Sequence, residues 1–354
     1  MVPFGDFMSC AEVNRESRQA LARGAAVCLL MAAVISLGPP SATRAEPRAI
    51  RALSLAAADL DAGAAPRRLL AARDSGIDTV FVPVSIHAEP ADAAIEAFIR
   101  EAHGRGLRVH AAIPILFAAP AGPLPLAREH AIYQHPEWLM VPRELAIELQ
   151  EIDGRSPDYL GRLARWTRGH PDRIDGLYLS PLQPEAAAFV ADAVGRLVSR
   201  HAFDGVHFEA VRFPDLAFDY SARARDVFRG DVRRSLSPAE RTRIDDVERI
   251  DPFAFPDELP DEWRRFRRTR LTTLVARLRT AVKAARPNAI VSASAVAGAR
   301  HALDDHLQDW RTWADNGFVD ALAGPAAATT TLLFSYESLL DPGTPGTALS
   351  PSSP

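Results

Sequence analysis

Short apolar runs alternate with stretches of helically spaced apolar residues from position 46 to about 340, which predicts strands and helices following one another in turn. Six runs read as buried parallel strands: 49–55, 79–85, 108–116, 176–179, 205–213 and 289–297. A weaker seventh spans 319–322, and 329–336 is the candidate for an eighth. Between them, Phe189, Val190, Val194, Leu197 and Val198 recur at helical spacing, as do Leu271, Leu274, Val275, Leu278 and Val282. Pro184 suits a first helical turn, and Pro287 ends the second helix. Three strand-to-strand intervals are close to ~30 residues, the size of one βαβ unit.

This alternation fits an α/β fold, either a (β/α)8 TIM-type barrel or a doubly wound sheet. Strand count and the long stretches after Leu116 and Phe213 favour the barrel, whose active site sits where strands hand over to their C-terminal loops. The weak eighth strand leaves the barrel open to being incomplete at its C-terminal end. No glycine-rich phosphate loop follows any run.

The flanks change the picture only in extent. Residues 1–45 carry arginines, an apolar run over 24–38 and Thr43-Arg44-Ala45 in the order of a secretory signal. The run is shorter than the roughly 20 residues that span a bilayer. The expectation is a signal peptide at 1–45, a barrel domain at 46–340 and a disordered tail at 341–354 rich in Pro, Gly, Ser and Thr. Both cysteines, Cys10 and Cys28, would leave with the signal, so neither a disulfide nor thiol catalysis is expected. The protein would be secreted or periplasmic, with no stable membrane span after cleavage. The segment takes 4 of 41 basic and 3 of 45 acidic residues, leaving a small negative charge that does not favour nucleic acid.

Candidate chemistry centres on Asp204-Gly205-Val206-His207-Phe208-Glu209, a turn followed by a strand with polar residues at alternate positions. His207 and Glu209 share one face, and Glu209 falls near the strand's C-terminal end. Arg212 has the opposite parity and reads as a partner from the rim. The histidines His87, His103, His110, His135 and His207 show no metal-ligand spacing, so neither metal nor cofactor is expected.

The order of several motifs resembles the glycosyl-hydrolase-like family 10 proteins. Arg51-Ala-Leu-Ser-Leu55 is similar to their opening strand, and Ala102-His103-Gly-Arg-Gly-Leu-Arg-Val-His110 to an Ala-His-x-x-Gly-Leu-x-Val-His segment. His135-Pro-Glu-Trp138, Tyr178-Leu-Ser-Pro181 with Pro184-Glu185, Asp204 to Pro214, and Gln308-Asp309-Trp310 with Trp313 follow in family order. The resemblance implies a barrel acting on carbohydrate or polysaccharide, with Glu209 at the position of the family's strand-end aspartate. By the same resemblance His207 and Arg212 line the site; His110, Trp138 and Arg51 are further candidates for substrate binding.

Departures are visible. Ser180 stands where the family usually has aspartate, and Ala210 replaces an aromatic. A glycosidase needs a second carboxylate, and Asp309, Asp320, Asp215 and Glu137 are the candidates. Two functions follow: an extracytoplasmic glycoside hydrolase using carboxylate acid/base chemistry, or a catalytically degenerate carbohydrate-binding barrel. Trp310 and Trp313, three apart, are expected in the core, while Trp138 is evenly divided between sugar contact and loop packing. Arg264, Arg265, Arg267, Arg268 and Arg270 are read as a solvated helix face.

Overall fold

The computed structural model describes residues 50–55, 57–60, 63, 65–87, 92–323 and 331–334. The expected signal segment and C-terminal tail lie outside the described residues. Among the described residues nine strands form: β1 (Ile50–Ser54), β2 (Thr79–Pro83), β3 (Arg108–Pro114), β4 (Phe117–Pro120), β5 (Gly176–Tyr178), β6 (Gly205–Glu209), β7 (Ile290–Ser294), β8 (Ala321–Ala323) and β9 (Thr331–Phe334). The strands β1, β2, β3, β6, β7 and β8 run parallel, and β9 closes the barrel by pairing antiparallel with β8 and β1. The result is a (β/α)8-type barrel that is incomplete, with seven staves and one of them reversed.

Two features depart from the sequence reading. Residues 176–179 form no barrel stave: β5 pairs antiparallel with β4 in a separate two-stranded sheet, and β3 pairs directly with β6. Glycine at 176 permits this, because a Cβ there would lie 2.4 Å from the Ala119 carbonyl and 2.5 Å from the Phe117 ring. The final strand is reversed because only residues 324–330 separate β8 from β9, too few for the dozen or so residues a parallel crossover requires.

Two long helices cover one flank of the barrel. Helix Pro184–Arg200 buries Val190, Val194, Leu197 and Val198, and helix Pro260–Ala285 buries Leu271, Leu274, Val275, Leu278 and Val282. Each has proline at its start, where a missing N–H costs nothing. Trp310 and Trp313 are buried as expected, and the Trp313 indole donates to Thr272 Oγ1 at 3.1 Å. The arginine cluster is split. Arg267 is buried beside Trp263 and Phe213, where it donates to the carbonyls of Leu216 (2.7 Å) and Phe218 and fastens the loop after β6.

Strand parity separates two environments. Val206 and Phe208, like Val109, Ala111 and Ile113, face the helices, whereas Ala52, Phe81, Ala112 and Ala323 form a small apolar cluster within the barrel. Gly205, His207 and Glu209 share the interior side. Gly205 lies in extended strand rather than a turn, and close packing explains its lack of a side chain. A Cβ there would come within 2.7 Å of the His110 ring and 2.6 Å of the Ile290 carbonyl.

Candidate active site at the C-terminal ends of the strands

Glu209 is the last residue of β6, paired in register with Pro114 at the end of β3. Ala210 follows with φ 51°, a left-handed conformation that ends the strand and turns the chain away. The run therefore stops four residues earlier than its hydrophobicity suggests. The Glu209 side chain is partly buried and forms no hydrogen bond or ion pair among the described residues. Desolvation alone raises its pKa above the ordinary glutamate value.

Beneath it lies a floor of two histidines. His207 is buried, with Nδ1 2.9 Å from Ser292 Oγ and Nε2 2.9 Å from Ser294 Oγ, and its ring stacks on Phe81 at 4.6 Å. Burial, reinforced by the neighbouring His110, lowers its pKa to about 3. His110 is fully buried one layer deeper, stacked 5.6 Å from Phe81, and burial lowers its pKa to about 4. Both imidazoles are therefore neutral at physiological pH.

This placement corrects several sequence expectations. His207 has both nitrogens engaged and His110 is sealed inside the barrel, so neither reaches a sugar; they support the carboxylate from below. Arg51 faces outward from β1 and donates to the Ser75 carbonyl at 3.3 Å, in the loop that leads into β2 at the opposite end of the strands. Trp138 is half-buried, stacked on His135 at 3.6 Å and set against Phe189 at 5.5 Å, which is loop packing. Arg212 does reach the rim, where its guanidinium lies 5.9 Å above the Tyr178 ring. It makes no ion pair among the described residues.

All four candidate second carboxylates are engaged elsewhere. Asp309 caps helix Trp310–Asp315 by accepting from the Thr312 N–H at 3.3 Å. Asp320 enters β8, accepts from Val291 N–H at 2.9 Å and pairs with Arg279 and Lys283. Asp215 pairs with Arg173 at 3.3 Å, and Glu137 with His135 at 3.3 Å and Arg155 at 3.6 Å. Asp219, not considered from sequence, is fully buried and accepts from the N–H groups of Val141 and Ser221. Desolvation raises its pKa.

Sequence reasoning passed over several supporting residues. Ser292 and Ser294 were visible as polar positions at alternate places in Ile290–Ser294, the same signal that marked His207 and Glu209. Gln308 bridges the loops after β6 and β7: its amide donates to the carbonyls of Val211 and Ser294, both at 3.1 Å, and its oxygen accepts from Val296 N–H at 2.7 Å. His87 is buried beyond β2, with Nε2 3.2 Å from the Pro114 carbonyl and a pKa lowered by burial to about 4. No cluster of three or more His, Asp or Glu suited to a metal occurs among the described residues.

Residues 81–327 match the profile of the family described as glycosyl hydrolase-like 10. The chain belongs to that family. The match runs from within β2 through β8 and includes Glu209, His207, His110, Ser292 and Ser294. No curated protein matches the sequence. The PgaB (BpsB) glycoside hydrolase domain from Bordetella bronchiseptica aligns at TM-score 0.51 and 16% identity, over 77% of this chain and 73% of that one. The β-galactosidase from Rahnella sp. R3 aligns at TM-score 0.49 and 14% identity, over 80% of this chain and 40% of that one. The β-galactosidase from Marinomonas ef1 aligns at TM-score 0.47 and 10% identity, over 70% of this chain and 37% of that one. The chain thus spans less than half of either β-galactosidase. At such identities the PgaB likeness speaks for the barrel, and the glycosyl hydrolase-like 10 profile for the family. Among the described residues no helix is long and apolar enough to cross a membrane.

Proposed function

We propose that this glycosyl hydrolase-like 10 protein acts on a polysaccharide or cell-wall glycan outside the cytoplasm, with Glu209 as the group that gives or takes the proton. One observation carries this reading. Glu209 ends an interior-facing strand position without a hydrogen-bonding partner among the described residues, and desolvation favours its protonated form. Donation to a glycosidic oxygen requires a carboxylic acid, and the direction in which desolvation shifts Glu209 is towards that form. Arg212, at the rim and without an ion pair among the described residues, is suited to bind the glycan beside it. The leader-like pattern of residues 1–45 supports an extracytoplasmic location.

The test is hydrolysis of a panel of cell-wall and exopolysaccharide glycans by the purified protein and by Glu209→Gln. The wild type is expected to release reducing ends, and the variant to lose on the order of 10²–10⁴ in rate. An unchanged rate in the variant removes Glu209 from the chemistry.

A second reading, binding without turnover, draws on a separate observation. The Ser180 hydroxyl, where the family usually supplies a carboxylate, is buried and accepts from the Leu182 N–H at 3.2 Å. Glycan binding by the wild type with no product from any member of the panel would favour it.

A further inference from the structure

We propose that Ser294 is a specificity-determining residue of this site: its hydroxyl oxygen accepts a hydrogen bond from a sugar hydroxyl, held as an acceptor by a directed chain through His207 and Ser292. This deepens the carbohydrate reading above and rests on it.

The direction of the chain follows from proton bookkeeping at four groups. Ser292 Oγ lies 3.2 Å from the Val206 carbonyl oxygen, which can only accept, and the proposed direction sets the single Ser292 proton on that contact. The lone pairs of Ser292 Oγ then face His207 Nδ1 at 2.9 Å, which must carry the imidazole proton and donate it. A neutral imidazole has one N–H, so Nε2 presents a lone pair. Ser294 Oγ, 2.9 Å away, donates to it. The Ser294 proton is thereby committed inward, and its lone pairs are left for whatever enters the barrel mouth.

The location suits such a role. In the β6–β7 register His207 faces Ser292 and Phe208 faces Ala293, so the next step sets Ser294 beside Glu209. Ser294 ends β7 and is only partly buried, in contrast to the fully buried Ser292. Its own carbonyl is tied by Gln308, which fixes the strand end. A sugar oriented towards Glu209 would place a ring hydroxyl within reach of Ser294.

A serine donating to an imidazole also describes an activated nucleophile. For that chemistry the imidazole must accept the serine proton. His207 is buried beside His110 and is protonated only near pH 3, so it is a poor base at neutral pH. The acceptor role asks nothing of His207 but its tautomer, and the geometry favours it.

Two measurements test the proposal. Long-range ¹H–¹⁵N correlation on histidine-labelled protein, with His207 assigned through His207→Gln, should show Nδ1 protonated, Nε2 unprotonated and no titration from pH 5 to 8. A proton on Nε2 overturns the directed chain. Binding of the methyl glycosides of glucose, galactose, mannose and N-acetylglucosamine, and of their monodeoxy analogues, is then compared between wild type, Ser294→Ala and Ser294→Thr. For a glycoside that binds the wild type, Ser294→Ala should weaken binding about tenfold, the worth of one hydrogen bond, and Ser294→Thr should restore it. The Ser294→Ala loss should vanish for the one deoxy analogue that lacks the accepted hydroxyl. Equal binding by wild type and Ser294→Ala overturns the role of Ser294 and leaves the carbohydrate reading standing. Binding of none of the glycosides by the wild type overturns both. Covalent labelling of Ser294 by a fluorophosphonate would replace the acceptor role with a nucleophilic one.

Discussion

The two ends of the barrel hold their acidic residues in different ways. At the N-terminal end, Asp78, Asp204 and Asp320 each immediately precede a strand and reach across to the neighbouring one. Asp78 meets Arg108 at 2.9 Å; Asp204 accepts from Val109 N–H and meets His103 Nε2, both at 2.8 Å; Asp320 accepts from Val291 N–H. At Asp320 the Val291 N–H, Arg279 and Lys283 hold the carboxyl below the usual aspartate pKa despite its partial burial. At the C-terminal end Glu209 has no hydrogen-bonding or charged partner among the described residues, and desolvation pushes its pKa up. Acids at the first end fasten strands; the acid at the second end is held desolvated, the environment that the proposed proton transfer would use.

Acid should produce the largest effect, through the two histidines beneath Glu209 and the buried His87 beyond β2. His87, His110 and His207 have folded pKa values of about 4, about 4 and about 3, each lowered first by burial from 6.5. The unfolded chain therefore binds more protons than the folded one over this range. Their contribution to stability is complete above about pH 6.5 and is lost progressively as pH falls towards 4. Three groups at about 1.4 kcal/mol per pH unit each give a slope of about 4 kcal/mol per unit, enough to unfold an ordinary domain near pH 4.5. Urea unfolding between pH 7 and pH 5 measures that slope. A flat profile would mean that the interior histidines are solvated.

Glu209→Gln and Asp204→Ala break the comparison from its two sides. The first should remove turnover while leaving the melting temperature equal or higher, because a desolvated charge disappears. The second should cost about 2 kcal/mol, by orphaning the Val109 N–H and releasing His103, with activity per folded molecule unchanged. Thermal melts alongside initial rates separate the outcomes. If Asp204→Ala abolished activity in fully folded protein, the assignment of acids to the two ends would be reversed.

Much of this contrast was legible in the sequence, and the losses have physical causes. Alternation placed His207 and Glu209 on one face of β6, and the same alternation in β7 would have exposed Ser292 and Ser294 had hydroxyls been weighed like charges. The exclusion of β5 from the barrel was hidden because a three-residue apolar run carries no information about its partner. The early end of β6 depends on a left-handed alanine, a residue with no propensity for that conformation. Arg267 lies four residues from both Trp263 and Leu271, so helical phase places it on the buried face. Counting it among neighbouring arginines obscured that.

The smallest effect tests the family pattern itself. Asp309 belongs to the Gln308-Asp309-Trp310 run, and in the fold its three residues hold three separate things. Gln308 ties the loops after β6 and β7, Asp309 caps a helix, and Trp310 fills the core. The motif therefore holds loops, a helix end and core around the ends of β6 and β7. Asp309→Ala should cost about 1 kcal/mol, the usual worth of an N-cap, and leave hydrolysis of any accepted glycan within twofold of wild type. A fall of a hundredfold or more, in protein whose melt has moved only by that amount, would identify Asp309 as the second carboxylate that the static arrangement assigns to a helix cap.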